Sequence, residues 1–571
     1  MKIEDIIAAQ RDERNECLKT ILASKSNKKI IVAGPGTGKT YTFKEILKAN
    51  PTGKSIAMTF INKLTKDMET SLGDLVEVKT FHAYCKKILH QQNGKVELVP
   101  FLTMLIEKDA DVLGLNLSDF DTKFRILDQD SPEIAFYLKR GNYYDAVSFD
   151  DSVYRLYKVL IKNPNIVPLF NQILIDEYQD FNPLEVAFID ELEKRGKILI
   201  VGDDDQSVYE GRRASPNYLR NKYNSGEYER YQLPFCGRCP EVIVNSVNEL
   251  LGKAESNRYL QGRISKRYEC FLENKENDNT RYPKIVVSQC TTGKVIAKLV
   301  DKIIQNIVAE DIEESWEQGS EYTTVLVVGQ KQYLNIVHKE LADKYPQMAY
   351  KPSEPVSSSI TDGYNLLLRD QSNNLGWRIL LDYYPEQQDI KRIIKESQSG
   401  KRMLNILDSS FIKEQKRVID IIRIIISGTD LTKELGKELK KLVSDYFTEL
   451  VDSYTPKEKV EEIIPDKTKP SFLLSSFVGC KGLSAGHVII VGANNGSIPK
   501  DPLNIKDVEI SQFIVAMTRT RKQCHIVSNK WLVAPIIKEV VQKQNTKTCF
   551  LDWIPSEFIE DKGVMKSKDI K

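Results

Sequence analysis

A glycine-rich segment follows a short apolar stretch near the start of the chain. Ile30 to Val32 predict a buried strand, and the small residues after it let main-chain N–H groups converge on an anion. Lys39 adds a positive charge for the β- and γ-phosphates, and the Thr40 hydroxyl is placed to hold Mg²⁺. A helix with its positive N-terminus toward the phosphates follows. The segment predicts binding of a nucleoside triphosphate, with Mg²⁺, by Ala33, Gly34, Pro35, Gly36, Thr37, Gly38, Lys39, Thr40 and Tyr41.

Two later segments place acidic and amide side chains directly after apolar strands. Residues 172–175 predict a buried strand that runs into Asp176 and Glu177. Asp176 would hold Mg²⁺ through water, and Glu177 would polarise the attacking water as general base. Paired acids also occur at ordinary helix N-termini, but the preceding phosphate-binding segment favours the catalytic interpretation. Residues 197–201 predict the next strand, and the amide of Gln206 beyond it can reach a γ-phosphate.

A glutamine on the first predicted helix has two possible roles. Residues 6–21 predict that helix, and Gln10 lies on it before the phosphate-binding segment. Its amide could bond both polar edges of adenine, a pairing that this side chain makes with that base. An exposed helical glutamine without a ligand is the alternative. The sequence leaves both open.

Two further predicted strands end in similar polar and aromatic residues. The first ends at Thr59 and Phe60 with Asn62 following, and the second ends at Thr80 with His82 following. Ligands bind outside the carboxyl ends of strands in open α/β sheets, so these residues share one rim. Aromatic and phosphate-bonding side chains suit a single-stranded nucleic acid. Each tripeptide alone could also be no more than a strand end.

The composition sets wider limits on the function. The 571 residues include 82 Lys and Arg against 80 Asp and Glu, a formal charge of +2, so any track for nucleic acid must be local. Nine cysteines without a framework fit a reducing cytosol. The first residues lack a signal-peptide core, and the most apolar run, 418–426, is interrupted by Asp420 and Arg423. We therefore expect a cytoplasmic protein without a membrane segment.

Taken together, the motifs resemble those of the UvrD/Rep-type superfamily 1 helicases. The matching pieces, in order, are AGPGTGKT (33–40), TFINKLTKDM (59–68), KTFHAYC (79–85), ILIDEYQD (173–180), VGDDDQSVY (201–209), CKGL (480–483) and VAMTRTR (515–521). The resemblance implies an α/β protein with two RecA-like parallel-sheet motor domains, each carrying a mainly helical insertion. Such proteins clamp ATP between the two domains and move along single-stranded DNA, here 3′ to 5′.

The resemblance also implies a domain organisation. It assigns 1–90 and 166–232 to the first RecA-like domain, with 91–165 as its helical insertion. It assigns 233–349 and 466–545 to the second, with 350–465 as the accessory insertion and 546–571 as a tail.

By resemblance, further side chains acquire roles. Arg238 and Arg519 correspond to arginines that reach the γ-phosphate from the second domain; surface salt bridges are the alternative. Tyr209 and Arg212 correspond to DNA-contacting residues. Cys236 and Cys239 lack further cysteine or histidine partners nearby, so packing is favoured over zinc.

Four positions depart from the family pattern. Gly237 replaces the aromatic residue that stacks on adenine, and Gly211 replaces a tryptophan that stacks on a DNA base. Val478 and Ser484 replace a histidine and a glutamate around Lys-Gly-Leu. Hydrolysis is therefore expected to be intact, whereas strictness for ATP and the conversion of hydrolysis into stepping are expected to differ.

Two hypotheses follow. The first is an ATP-dependent helicase or translocase on single-stranded DNA or on a junction of single- and double-stranded DNA. The second is a DNA- or nucleotide-sensing ATPase subunit without processive unwinding, which regulates a partner such as a nuclease in Gabija-type phage defence. RNA remains open as the nucleic acid, because no motif reads the 2′-hydroxyl.

Overall fold

The structure is a computed structural model of the full chain. It describes residues 3–51, 53–59, 62–93, 96–318, 322–350, 357–429, 431–456, 466–532 and 544–570. Within these ranges, no helix combines the length and the apolar character needed to cross a bilayer.

Strands and helices alternate along most of the described chain. The strands are β1 Lys28–Ala33, β2 Ser55–Thr59, β3 Glu77–Thr80, β4 Glu97–Leu98, β5 Ala146–Val147, β6 Phe170–Ile175, β7 Gly196–Gly202, β8 Glu229–Leu233, β9 Phe235–Cys236, β10 Glu269–Cys270, β11 Ile285–Thr292, β12 Thr323–Gly329, β13 Met348–Tyr350, β14 Phe472–Ser475, β15 Ala485–Val491, β16 Thr520–Trp531 and β17 Ile559–Met565.

The α-helices are α1 Ile3–Ala23, α2 Lys39–Ala49, α3 Asn62–Leu72, α4 Phe81–Asn93, α5 Leu102–Val112, α6 Phe120–Arg125, α7 Pro132–Tyr144, α8 Phe149–Lys162, α9 Pro183–Leu192, α10 Asn217–Asn224, α11 Glu241–Ser256, α12 Glu276–Arg281, α13 Gly293–Gln305, α14 Ala309–Glu317, α15 Lys331–Leu341, α16 Ile360–Arg369, α17 Asn374–Tyr383, α18 Ile390–Ser397, α19 Ser409–Ile426, α20 Lys433–Val443, α21 Phe447–Tyr454 and α22 Asp507–Met517.

The first sheet brings the chemically informative loops together. Its strand order is β3-β2-β6-β7-β1-β8, and all of its pairings are parallel. Strands buried on both faces favour continuous apolar runs, as in Ile30–Val32 and Ile198–Val201. Because β6, β7 and β1 are neighbours, the loops after them meet at one rim of the sheet. We call this sheet and its flanking helices the first lobe.

The second lobe is built on a second parallel sheet of order β13-β14-β12-β15-β16-β11-β17. Two parallel sheets with helices confirm the expected α/β fold class. The expectation of a tail over 546–571 was wrong, because β17 pairs with β11 and extends this sheet. Lysines and acids between Ile559 and Met565 obscure the strand pattern in the sequence.

Two helical insertions pack on one another. The first, β4 to α8, follows α4, and the second, α16 to α21, lies between β13 and β14. One apolar cluster contains residues of the first sheet and of both insertions, including Ile175, Tyr137 and Trp377. At the contact between the insertions, the buried Asp109 carboxylate accepts from Arg140 and Arg378 at 2.6–2.9 Å. The insertions therefore share a core and a buried charge cluster.

Candidate functional site

The segment after β1 wraps into the start of α2 through two left-handed glycines. Gly36 has φ 74° and Gly38 has φ 93°, a region that residues with a Cβ rarely adopt. The Thr37 hydroxyl donates to the Gly34 carbonyl at 2.9 Å, which closes the turn. Helix α2 then begins at Lys39. The loop and the N-terminus of α2 thus lie together where the sequence predicts an anion-binding cradle.

The second lobe packs directly against this cradle. The Gly237 N–H donates to the Gly36 carbonyl at 3.0 Å, and the Tyr268 hydroxyl donates to the Pro35 carbonyl at 3.1 Å. A Cβ on Gly34 would lie 2.6 Å from the Tyr268 ring, and one on Gly36 would lie 2.5 Å from the Cβ of Arg238. The small residues of the cradle thus admit the second lobe as well as phosphate.

Two adjacent acids follow β6 at the same rim. The Glu177 N–H donates to Asp176 Oδ1 at 2.9 Å, and Lys39 Nζ donates to Glu177 Oε1 at 3.2 Å. Glu177 has φ 53°, a strained backbone for a residue with a side chain. Burial, and then the charge of Glu177, raise the pKa of Asp176 to about 6. Thr40 lines the same cavity, so the oxygen donors suit Mg²⁺.

The second lobe supplies cations to the first across the cleft. Lys481 Nζ donates to the Gln206 carbonyl at 2.7 Å and to the Asp180 carboxylate, and it lies 3.5 Å from Glu177 Oε2. Arg519 Nη2 donates to Gln206 Oε1 at 3.1 Å. Burial, and then repulsion by Arg238, lower the pKa of Arg519 to about 10, so it stays charged at neutral pH.

A single cavity of about 350 Å³ contains the groups predicted to act on a triphosphate. Its lining includes Gly36, Lys39, Thr40, Asp176, Glu177 and Gln206 of the first lobe, and Arg238 and Arg519 of the second. Both arginines therefore face the cleft between the lobes and do not lie on another surface of the protein. The arrangement can hold a triphosphate, position a water on Glu177 and present two guanidinium groups to the γ-phosphate.

Comparison with known proteins agrees with this geometry. A family profile described as an AAA domain matches residues 17–212. The ATP-dependent DNA helicase Rep of Buchnera aphidicola is 22% identical, over 86% of this chain and 91% of that protein. The chain is thus similar to UvrD/Rep-type DNA helicases.

Other UvrD/Rep-type relatives match over shorter stretches. DNA helicase II of Haemophilus influenzae is 25% identical over 44% of this chain and 41% of its own length. The ATP-dependent DNA helicase UvrD1 of Mycobacterium tuberculosis is 26% identical over 47% of this chain and 43% of its own length. The chain thus matches less than half of the length of these two relatives.

The structure does not leave the Gln10 amide free for the predicted adenine contact. Gln10 Nε2 donates to the Cys270 carbonyl at 3.0 Å, and Gln10 Oε1 accepts from the Leu272 N–H at 3.1 Å. Both polar ends of the amide are therefore used by the main chain of the second lobe. The exposed-glutamine alternative does not hold either, because the amide ties α1 to the segment after β10.

The predicted DNA contacts at the ends of β2 and β3 are largely buried. Thr59 is fully buried, and the Thr80 hydroxyl accepts from the Ala83 N–H at 3.1 Å at the start of α4. His82 is buried against Phe149, and burial lowers its pKa to about 4. Thr59, Thr80 and His82 are thus not exposed for direct contact with DNA in this structure, and their role in DNA binding stays a prediction. Phe60 and the side chain of Asn62 lie outside the described residues.

The other two predicted DNA contacts, Tyr209 and Arg212, are both half-buried. Tyr209 is half-buried, with Lys481 Nζ 5.9 Å from its ring centre. Arg212 is 3.6 Å from Asp150 and 3.7 Å from Glu185. It lines a cavity of about 490 Å³ with Thr80, His82 and acids of the first insertion. A DNA phosphate at Arg212 would have to compete with these carboxylates.

Sequence reasoning assigned no role to three cationic side chains that the structure places at the cleft. Lys481 and Arg521 lie in motifs that were recognised, CKGL and VAMTRTR, so their motif membership was the available signal. Arg14 lies outside the recognised motifs. It lines the cleft because α1 packs beside the phosphate-binding loop. Cys236 and Cys239 are both buried, and the Cys239 N–H donates to Cys236 Sγ at 3.3 Å.

Proposed function

We propose that the chain is an ATP-dependent DNA translocase or helicase that acts on single-stranded DNA and moves 3′ to 5′. The observation that supports this most is the reach of Arg519 and Lys481 from the second lobe to Gln206 and Glu177 of the first. Contacts of this kind make the distance between the lobes depend on the nucleotide, which a motor requires. The UvrD/Rep-type relatives support DNA as the track.

The residues divide the hydrolytic work between the lobes. Lys39 leaves Glu177 for the β- and γ-phosphates when nucleotide binds, and Glu177 then orients and polarises the attacking water. Gln206 contacts the γ-phosphate. Its contact with Arg519 makes the position of Arg519 depend on whether that phosphate is present. Arg238 and Arg519 neutralise charge that develops on the transferred phosphoryl group. Thr40 and Asp176 would hold Mg²⁺, which supplies further charge neutralisation when bound.

Steady-state hydrolysis and strand displacement test the proposal. ATP turnover should rise when single-stranded DNA is added, and rise less with double-stranded DNA or single-stranded RNA. Partial duplexes with a 3′ or a 5′ single-stranded tail then assign the direction. Displacement from the 5′-tailed substrate alone would overturn the proposed polarity. ATP turnover without any response to DNA would overturn the motor itself.

A second candidate is a DNA- or nucleotide-sensing ATPase that regulates a partner nuclease. The observation in its favour is the burial of Thr59, Thr80 and His82 and the enclosure of Arg212 by Asp150 and Glu185. These contacts reduce the free surface for a moving strand. DNA-stimulated hydrolysis without displacement of any tailed duplex, together with activation of a co-purified nuclease, would favour this candidate. Robust unwinding by the purified chain would exclude it.

A further inference from the structure

Two cysteines lie where the second lobe meets the phosphate-binding loop. Cys236 ends β9, and Cys239 lies two residues before α11, a helix of 16 residues. The Cys239 N–H donates to Cys236 Sγ at 3.3 Å, and both side chains are buried. Cys-x-x-Cys pairs before a helix occur in disulfide oxidoreductases, where one thiol is unusually acidic. The pair therefore has the spacing and the local geometry for an intramolecular disulfide.

The surroundings give the two thiols different characters. Burial raises the pKa of Cys236, but hydrogen bonds from Cys239 and Tyr268 outweigh burial and hold it below its usual value. Burial, and then the hydrogen bond to Cys236, raise the pKa of Cys239 well above its usual value. Cys236 thus ionises first, and Cys239 keeps its proton. This is the division of roles between an attacking and a resolving cysteine.

The phosphate-binding loop of the first lobe covers Cys236. A Cβ on Gly36 would lie 3.0 Å from Cys236 Sγ. The Tyr268 oxygen lies 3.4 Å from the same sulfur and 3.1 Å from the Pro35 carbonyl oxygen. The sulfur is therefore packed between its own lobe and the loop that binds the phosphates. Separation of the lobes removes this cover.

Both arginines of the cleft are connected to this pair. Arg238 lies between the two cysteines in the chain, and its side chain lines the phosphate cavity. Cys239 Sγ donates to the Thr518 carbonyl at 3.4 Å, directly before Arg519. A bond between the two sulfurs would close a ring that contains Arg238 and would end the hydrogen bond to Thr518. The main chain that presents Arg238 to the cleft would change with it.

We propose that Cys236 and Cys239 are a site of reversible oxidation, at which a hydroperoxide forms a disulfide when the lobes separate and the disulfide withdraws Arg238 from the cleft. This switch rests on the proposed nucleotide hydrolysis, which it turns off. Bound nucleotide protects the pair, because it holds the phosphate-binding loop against Cys236. Reduction by a dithiol returns Arg238 to the cleft and restores turnover.

Two steps complete the oxidation by hydrogen peroxide. The Cys236 thiolate attacks one peroxide oxygen, so that an S–O bond forms, the O–O bond breaks, and the departing hydroxide takes up the proton that Cys236 has lost. The Cys239 sulfur then attacks the sulfur of this sulfenic acid. An S–S bond forms, the S–O bond breaks, and hydroxide leaves as water with the Cys239 proton. Two thiols and one peroxide thus give one disulfide and two water molecules, and two electrons pass from sulfur to oxygen.

Peptide mapping after treatment with hydrogen peroxide tests the site directly. Trypsin cuts after Arg238, between the two cysteines, so the disulfide joins peptide 231–238 to peptide 239–253. The joined peptides should form in the parent chain and separate on reduction with dithiothreitol. A non-hydrolysable ATP analogue at about 100 times its Kd should slow their formation about 100-fold, because only the nucleotide-free fraction is uncovered. Equal rates with and without the analogue, or a link from Cys239 to Cys270 instead, would overturn the proposal.

Turnover of ATP shows whether the disulfide is a switch. The oxidised parent chain should lose about 10³-fold in kcat, the lower end of the range for an arginine that neutralises a transferred phosphoryl group, and dithiothreitol should restore it. Cys236→Ala and Cys239→Ala should each keep their turnover after peroxide. Cys549→Ala removes a less buried thiol outside the cleft, so it is the matched control and should be inactivated like the parent. A disulfide with full turnover, or inactivation that persists in both cysteine variants, would overturn the switch.

Binding measurements keep this inference separate from the proposed function. If the parent chain hydrolyses no nucleotide with or without DNA, the proposed function fails, whereas the joined peptides still decide the pairing. Oxidation should then lower the affinity for the ATP analogue relative to ADP, because the proposed contact of Arg238 is with the γ-phosphate. An unchanged ratio of the two affinities would contradict the withdrawal of Arg238. One zinc ion bound per chain, with thiols that resist peroxide, would make the pair a metal site and overturn the proposal.

Discussion

At the scale of single residues, Glu177 is held between two cations from different lobes. Lys39 lies 3.2 Å from one carboxylate oxygen and Lys481 lies 3.5 Å from the other. Burial raises the pKa of Glu177, but the two positive charges outweigh burial and hold it well below its usual value. Glu177 is therefore ionised throughout the physiological range. In the proposed mechanism, nucleotide draws Lys39 toward the phosphates, and Glu177 becomes a stronger base as a result.

The first prediction concerns this carboxylate. Glu177→Gln should lower kcat for ATP by about 10²- to 10⁴-fold, because the amide cannot accept a proton from water. Binding of ATP should persist, since the phosphate-binding groups remain. Steady-state turnover and equilibrium binding of ATP measure the two effects. Glu191→Gln, on α9 outside the cleft, is the control. Full turnover by Glu177→Gln would show that another group is the base.

A second prediction concerns Glu185, which faces Arg212 and Asp150 beneath the first insertion. Burial raises the pKa of Glu185 to about 7, although Arg212 opposes this shift. In the unfolded chain a glutamate titrates at about pH 4.3. Between these pH values the folded chain binds more protons than the unfolded chain. The free energy of unfolding contributed by Glu185 therefore falls as the pH rises through this window.

Glu185→Gln should remove this pH-dependent loss. The variant should be more stable than the parent chain by about 1–3 kcal/mol at about pH 8.5 and equal to it at about pH 4.5. Denaturant unfolding at both pH values measures the difference. Glu310→Gln, an exposed acid, should show no pH-dependent change relative to the parent. Equal effects of Glu185→Gln at both pH values would contradict the raised pKa.

At the scale of elements, α5 and α17 join the two insertions through buried charges. Asp109 is fully buried and accepts from Arg140 of α7 and Arg378 of α17. Arg378 also donates to Asp382 at 2.6 Å, and Arg140 donates to Ser397 at 2.8 Å. A buried carboxylate between two arginines contributes to the fixed position of the insertions, because its removal leaves two charges uncompensated.

Asp109→Asn should therefore loosen the contact between the insertions. The expected cost is about 3–5 kcal/mol, the range for breaking a buried ion pair. Amide hydrogen exchange should accelerate in α5, α17 and α18, while β1 and β6 of the first sheet keep their protection. Asp111→Asn lies on the same helix but is exposed, so it should leave exchange unchanged. Unchanged protection in Asp109→Asn would show that apolar packing alone holds the insertions.

At the scale of the whole molecule, the two lobes meet at one cavity, which is the proposed triphosphate site. The first lobe supplies Lys39, Asp176 and Glu177, and the second supplies Arg238 and Arg519. Within the described part of the chain, Arg238 and Arg519 share this cavity and form no salt bridge with a carboxylate. Their mutual repulsion therefore favours an anion between the lobes. Nucleotide should thus stabilise both lobes together.

A non-hydrolysable ATP analogue should raise the midpoint of thermal unfolding. At a concentration of 100 times Kd the expected stabilisation is about 2.7 kcal/mol. Lys39→Ala should abolish the shift, because it removes the β- and γ-phosphate contact. Lys48→Ala on the exposed end of α2 is the control and should keep the shift. A shift that survives in Lys39→Ala would mean that the analogue binds elsewhere.

The sequence alone predicted the fold class and the phosphate-facing set of residues. Short apolar strands followed by glycines, acids or an amide predict the strands themselves. They also predict which side chains lie at the edge of the sheet where the strands end, because strand, loop and helix are neighbours in the chain. The cradle from Gly34 to Thr40, the pair Asp176 and Glu177, and Gln206 are of this kind. Arg238 and Arg519 came from order and spacing of motifs, and the structure brings both into the same cavity.

Only the tertiary structure decided the contacts between distant segments. Four findings join parts of the chain that lie far apart in the sequence. They are the hydrogen bonds of Gln10 to residues 270 and 272, the packing of His82 against the first insertion, the pairing of β17 with β11, and the position of Arg14. A local pattern states what a side chain can do, whereas burial and long-range packing determine which partner it has. The motifs therefore predict the chemistry that the side chains can perform. The contacts that each side chain makes depend on the folded structure.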